Sequence, residues 1–306
     1  MTGAVPSAGA VGLAFVLDAA AGEPPTAIHP VAWFGRVVGP LDRDWPAPRL
    51  VGLLGAFALP LAAAALVWAA VAAATTLDPL AGAAVAGLAL FLATSLRRLL
   101  STARAVSETT ERHLAAARED LRALAGRDAA ALSAGQVRSA AVESAAENLA
   151  DGLVAPLLAF AVGAQLSLAV GAAAAAWVKA VNTMDSMLGY RSKPVGWGPA
   201  RLDDAVMWFP ARASALLLAA AAGAPTALRS ASRWVDAVPS PNSGWPMGTL
   251  AAGLDVRLEK PGAYVLNPGA TLPTVADARA AVRTVAVAGV LAYALAAAVV
   301  VLPEVR

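Results

Sequence analysis

Positions 51 to 76 form a run of 26 residues without one charged side chain, and after an Asp78-Pro79 break a second apolar run continues from 79 to 95. A helix rises about 1.5 Å per residue and crosses the hydrocarbon layer in roughly 20 residues. In lipid, a backbone must satisfy its own hydrogen bonds, so the two runs predict a transmembrane helical hairpin over 51–95. The bias holds along the whole chain. Of its 306 residues 58% are hydrophobic and 14% are charged, against roughly a quarter charged in a soluble domain. The expected fold is all-α: a polytopic integral membrane helical protein with about four to five spans, in one membrane-embedded domain over 1–306.

Charge then sets orientation. Arg36, Arg43 and Arg49 precede the hairpin and Arg97, Arg98 and Arg104 follow it, which predicts that both ends face the cytoplasm. The net charge is only +2, so a basic isoelectric point of about 9.3 marks cytoplasmic loops rather than a nucleic-acid partner. No aromatic-interleaved basic groove is present either. The chain has no cysteine, which excludes disulfides, thiolate catalysis and thiolate metal sites. With His29 and His113 as the two imidazoles, a catalytic metal is expected to be a hard, oxygen-liganded ion such as Mg²⁺.

The N-terminal apolar stretch, 8 to 20, lacks a basic leader and soon reaches Asp18, so it does not read as a cleaved signal peptide. It is too short to span alone. It breaks at GEPPTAIHP (22–30), after which a second short helix is expected from Pro30 to about Leu41. On pattern alone Asp18, Glu23 and His29 are interfacial turn chemistry. From Leu96 to Leu124 apolar residues recur at threes and fours while Arg104, Glu108, Arg112, Arg118 and Arg122 lie off that stripe. This predicts a long amphipathic cytoplasmic helix within 96–132.

A polar core is expected over 133–223. Ser133 with Gln136 has the form of a capping box, and the helix it starts carries Glu143, Glu147 and Asp151 at i, i+4 and i+8. Three carboxylates on one face repel one another, so they need a metal ion, a cationic ligand or basic partners. Residues 153 to 177 are apolar but interrupted at Gly163 and Gln165, which predicts a re-entrant hairpin returning to the cytoplasm. Lys179, Asn182 and Asp185 or Ser186 then share a helical face, with Gly189 as C-cap. Arg201, Asp204, Trp208 and Arg212 fall on one side of a third polar stretch, with Asp203 beside them; isolated salt bridges are the simpler reading of these pairs. Residues 224 to 274 read as an irregular cytoplasmic loop region, and Thr274 with Asp277 starts a final helix whose span is 281–302, within 275–306.

Phosphate-loop, dinucleotide, zinc-protease and nucleophile-elbow motifs are all absent. The acids, amides and cations that remain suit phosphoryl chemistry run by positioning and charge stabilisation. They suit a cation transporter or membrane sensor equally well, so residue types alone leave both open.

Longer segments narrow the choice. VLDAAAGEPPTAIHPVAWFGR (16–36), GRD (126–128), VESAAENLADGLVAPL (142–157), KAVNTMDSMLGYRS (179–192), ARLDD with PAR (200–212), SPNSGWP (240–246) and the GAYVLNP region follow one another in order. In order and spacing they resemble the CobD/CbiB family of cobalamin biosynthesis, adenosylcobinamide-phosphate synthases. The resemblance implies a multi-pass inner-membrane enzyme with its site facing the cytoplasm. Such an enzyme joins (R)-1-amino-2-propanol or its O-phosphate to adenosylcobyric acid in an amide bond, with ATP as co-substrate and Mg²⁺. It also implies a homo-oligomer or association with other corrinoid-pathway membrane enzymes.

By matching position, the resemblance makes Glu143, Glu147 and Asp151 catalytic residues and Mg²⁺ ligands, with Asp185 a further catalytic acid. It assigns Asn148, Lys179, Asn182, Arg191, Arg201, Asp203, Asp204 and Arg212 to substrate or phosphate. Asp18, Glu23 and His29 would close the site from the N-terminus and Asn242 from the late loop. Three positions depart from the family pattern: Val238 where histidine is common, Met207 where asparagine is, and Ala129 where threonine is.

Overall fold

The computed structural model describes residues 4–124, 129–190 and 192–302. In chain order the helices are α1 (Ala4–Ala21), α2 (Pro30–Val38), α3 (Pro48–Leu77), α4 (Pro79–Ala93), α5 (Leu96–Thr109), α6 (Leu114–Asp120) and α7 (Ala134–Leu149). A π-helical turn (Ala150–Val154) leads into α8 (Ala155–Gly163), followed by α9 (Leu168–Leu188), α10 (Trp197–Val206), α11 (Trp208–Ala221), α12 (Ala227–Ala231) and α13 (Gly244–Gly253). Two short strands, β1 (Leu258–Lys260) and β2 (Tyr264–Leu266), precede the last helix, α14 (Val275–Val300).

Among the described residues, five helical stretches are long and apolar enough to cross a membrane: Ala4–Ala21, Pro48–Leu77, Pro79–Thr109, Ala134–Gly163 and Val275–Val300. The α10–α11 pair, counted as one broken span, would make six. The protein is thus all-α and polytopic. The N-terminal helix is longer than the apolar stretch suggested and, at 18 residues, meets the length requirement by itself.

Contacts divide the chain into two compact units, the first made of 1–95, 151–207 and 292–306 and the second of 96–150 and 208–291. The 133–223 stretch is therefore shared out between them.

In the first unit the Asp78 carboxylate caps α4, accepting from the amides of Leu80 (2.7 Å) and Ala81 (3.1 Å) and separating α4 from α3. Helix α4 packs against α1, α3 and α9 through Gly82, Ala83, Ala86 and Gly87, the small residues that let membrane helices approach without a hydrophobic drive. Helices α8 and α9 pack on each other across a four-residue turn, 164–167, so the chain reverses where Gly163 and Gln165 predicted. A Cβ on Gly171 would stand 2.8 Å from the carbonyl oxygen of Phe160, and one on Gly163 2.9 Å from that of Val170; the hairpin closes because neither has one. Ser167 caps α9 by accepting from Val170 N (3.2 Å). A Cβ on Gly52 would collide with the Val195 carbonyl, so α3 meets the backbone just before α10 directly. From the last helix, Tyr293 contacts the Thr94 hydroxyl (3.2 Å) and the edge of the Phe15 ring (5.1 Å).

The second unit is built on α7. The Ser133–Gln136 capping box forms on both sides, through Gln136 N to Ser133 Oγ (3.3 Å) and Ser133 N to Gln136 Oε1 (2.8 Å). Val106, Ala117, Leu121, Leu132, Val137, Ala140 and Ala141 form its core. The amphipathic stretch is two helices rather than one. It breaks at 110–113, where Arg138 holds the Thr110 hydroxyl (2.8 Å) and α6 packs on both α5 and α7. Arg118 donates twice to the carbonyl of Leu132, at 2.8 and 2.6 Å.

Residues 224–274 hold more order than an irregular loop, namely α12, α13 and an antiparallel hairpin pairing Leu258 with Leu266, Glu259 with Val265 and Lys260 with Tyr264. Three-residue strands carry too short an alternation to stand out from a Pro/Gly-rich background. Thr274 and Asp277 do start α14, Thr274 N and Oγ1 donating to the Asp277 carboxylate at 2.8 and 2.7 Å.

Candidate functional site

Helix α9 brings the first group of site residues together within the first unit. Spacing of three puts Lys179, Asn182 and Asp185 on one side of it. The Asn182 amide donates to Asp151 Oδ2 on the π turn and to Asp203 Oδ1 on α10, each at 3.4 Å. Asp203 is buried and has Asp151, Asp185 and Asp204 as electrostatic neighbours. Four carboxylates from three segments thus converge near one amide. Their basic neighbour Arg201, a surface side chain, sits 3.7 Å from Asp204, a contact of small energetic value.

Asp185 stands in the last turn of α9, which is not one of the five membrane-crossing helices. Burial, and then the nearby Asp204 carboxylate, push its pKa from 3.8 up to about 6. Lys179, two turns back, has Glu23 and Asp151 as electrostatic neighbours, so the N-terminal turn does reach this group. Asp18 is buried on α1, while His29 Nδ1 accepts from Val31 N (3.2 Å) as the cap of α2.

The three acids read at i, i+4 and i+8 fall in both units, Glu143 and Glu147 in the second and Asp151 in the first. At Ala150–Val154 the helix widens to a π turn, and Asp151 faces Asn182 there. In the second unit Glu143 is only 1% exposed, and its two oxygens accept from Ser139 Oγ and from Tyr264 OH, both at 2.9 Å. Ser139 Oγ also accepts from Glu259 N (2.8 Å). Glu259 is bonded in turn by Gln136 Nε2 (2.9 Å) and paired with Arg257. Glu143 therefore clasps the β hairpin to α7. Glu147 is half-buried on the same helix, and Asn148 donates to the Ser144 carbonyl (2.9 Å).

Also in the second unit, Arg212 donates to Asn242 Oδ1 (3.1 Å) and Trp208 O (2.7 Å), with its guanidinium 4.2 Å from the Trp208 ring centroid and 5.4 Å from that of Trp245. Arg191 and the GRD segment 126–128 lie outside the described residues. Of the departures, Met207 is buried against Ala155 and Val178, and Val238 and Ala129 are buried too, so all three positions are packing sites here.

Among the described residues, no three His, Asp or Glu side chains gather closely enough to hold a metal ion unaided. The carboxylate oxygens near Asn182 are donors of the kind a hard cation takes. Mg²⁺ is commonly held by only one or two carboxylates, completing its shell with water and substrate phosphates, and that mode fits Asp151 and Asp203. Sequence reasoning did not single out Ser139, Gln136 as a partner of Glu259, or Arg257. The available signal was Ser139 at i−4 from Glu143, on the same helical face.

Fold and site together define a polytopic membrane protein with a carboxylate-rich polar cluster carried on a helical hairpin. The model of the CobD/Cbib protein family matches residues 11–294. A Methanothrix thermoacetophila protein named "Probable cobalamin biosynthesis protein CobD" is 36% identical over 304 residues, covering 95% of this chain and 96% of that one. Proteins named "Cobalamin biosynthesis protein CobD" from Geobacter metallireducens (38% over 287 residues, 88% and 87% covered) and Klebsiella pneumoniae (35% over 268 residues, 82% of each) are similar as well. No solved structure matches. The chain belongs to the CobD/CbiB family of cobalamin biosynthesis proteins.

Proposed function

We propose that this protein catalyses amide-bond formation in cobalamin biosynthesis, joining a carboxylate of adenosylcobyric acid to the amine of 1-amino-2-propanol or its O-phosphate. The observation that carries this reading is the convergence of Asp151, Asp185, Asp203 and Asp204 near Asn182, with Lys179 alongside, in a chain of this family.

A carboxylate does not condense with an amine unaided. ATP would phosphorylate it, releasing ADP; the amine nitrogen then attacks the acyl carbon, the C–O bond to phosphate breaks, and phosphate leaves. The incoming amine is an ammonium at neutral pH and must first lose a proton. Asp185, with a pKa raised to about 6, is matched to accept that proton near neutrality, better than a carboxylate at 3.8. Asp204 and Asp203 beside it would attract the ammonium and orient it. Lys179 would place positive charge against a phosphate oxygen. Mg²⁺ bound with the nucleotide would screen phosphate charge, with Asp151 and Asp203 as its protein ligands and Asn182 fixing the spacing between them. Arg212, held by Asn242 and flanked by two tryptophans, offers a preorganised cation for a phosphate or carboxylate. The arginines flanking α3 and α4 support a cytoplasmic site on an inner-membrane protein.

The test is direct. Purified, reconstituted protein given adenosylcobyric acid, aminopropanol phosphate and ATP should yield a product heavier than the corrinoid by the amine minus water, with one ADP formed per amide. Asp203→Asn should abolish it. Cation uptake into vesicles with no such product would overturn the synthase reading in favour of a transporter.

A further inference from the structure

Helices α2, α3, α4 and α9 of the first unit line a pocket of about 440 Å³, of whose lining the proposed chemistry uses only Lys179. Its wall is apolar, formed by side chains such as Trp33, Phe34, Val37, Leu66 and Leu92, with Lys179 and Thr183 as the polar side chains of the lining. The Thr183 hydroxyl already donates to the Lys179 carbonyl (2.7 Å). A water held there would lack the two to four polar partners that make a buried water stable. The size lies in the range of ligand sites, roughly 300–1,000 Å³.

The opening of the pocket decides what enters it. Trp33, Val37 and Leu66 line the pocket yet remain 49, 57 and 74% exposed, so the cavity wall runs without interruption onto the outer surface of α2 and α3. Along α3, Leu54, Phe57 and Leu61 are exposed too, the lipid-facing surface of a membrane-crossing helix. We infer that the pocket is a binding site for one acyl chain of a membrane phospholipid, entering from the bilayer beside α3 and ending against the aliphatic stem of Lys179. A polar metabolite would meet only Lys179, whose charge already lies beside Glu23 and Asp151, and Thr183, whose hydroxyl is already given to a carbonyl; a soluble partner has no route through lipid, and a second copy seated here would exclude the lipid label. The inference rests on the pocket and the membrane spans alone. If the proposed function holds as well, the bound chain packs against a residue of the reacting cluster and makes the orientation of Lys179 dependent on lipid.

The experiment uses the full chain in phosphatidylcholine vesicles doped with a phosphatidylcholine that carries a diazirine in its acyl chain, with labelled peptides mapped after photolysis. Label is expected in segments 59–67, 89–93 and 176–183 in excess of label at Val290 and Leu295, exposed positions within the apolar span α14. Ala63→Trp and, from α9, Ala176→Trp should each remove the pocket label while leaving the label at Val290 and Leu295 in place. Pocket label no denser than that at Val290 and Leu295, or unchanged in both tryptophan variants, overturns the proposal. Amide-forming activity is not the readout, so failure here leaves the functional proposal standing, and the reverse.

Discussion

Replacing Tyr264 by phenylalanine removes one hydroxyl and little volume, and it tests what Glu143 is for. In the wild type that hydroxyl donates to Glu143 Oε2 at 2.9 Å, and Glu143 is 1% exposed. Solvent cannot take its place, so Tyr264→Phe leaves a buried oxygen with a lost donor, a cost of about 1–3 kcal/mol. At roughly 2–4 °C per kcal/mol for a chain of this size class, the melting temperature in detergent should fall by about 4–8 °C for the middle of that range. Ser139→Ala should behave alike, since Ser139 Oγ donates to the other oxygen (2.9 Å) and also accepts from Glu259 N. The control is Tyr190→Phe, at a tyrosine whose side chain is half exposed. Thermal unfolding followed by tryptophan fluorescence provides the assay, and a double-mutant cycle of Tyr264→Phe with Ser139→Ala reads the coupling through Glu143. If Tyr264→Phe shifts the transition no more than Tyr190→Phe does, Glu143 is not the clasp of the hairpin and its burial needs another account.

Asp185 gives a pH signature: as a base with a pKa of about 6 it must be deprotonated to act, so the rate should fall as pH drops through 6. Asp185→Asn should lower turnover by about 10²–10⁴-fold and flatten that acid limb; a variant with unchanged rate and profile would remove Asp185 from the chemistry. Because the folded state binds this proton more tightly than the unfolded chain, which titrates near 3.8, the group adds stability as pH falls from above 6 towards 4, and Asp185→Asn should weaken that trend in pH-dependent melts. Asn182→Leu removes the amide between Asp151 and Asp203, so the Mg²⁺ concentration needed for half-maximal activity should rise; an unchanged requirement would show that the two acids do not share the ion. Gly52→Ala places a Cβ into the Val195 carbonyl, an overpacking cost of about 1–3 kcal/mol, measurable as a lower melting temperature.

Local chemistry was legible in the chain itself. The apolar runs separated by Asp78-Pro79, the capping box at Ser133, the helix start at Pro30, the break after Gly163 and the Thr274–Asp277 start are all set by neighbours within a few residues, and each is found in the structure. Periodicity was less secure over 96–124, because a stripe at threes and fours continues across a break made by Arg138 and Thr110, 28 positions apart.

The acids show where sequence reading stops. Spacing alone gave Glu143, Glu147 and Asp151 one face, since it assumes an unbroken 3.6-residue helix. A π turn intervenes at Ala150–Val154, and the partners that fix these acids are distant in sequence. Tyr264, 121 positions away, encloses Glu143 in a structural network. Asn182, 31 positions away, draws Asp151 towards Asp203. A carboxylate's charge is a property of its residue type and was readable from the start; whether it is buried, bonded or poised to titrate depends on what the tertiary fold sets against it.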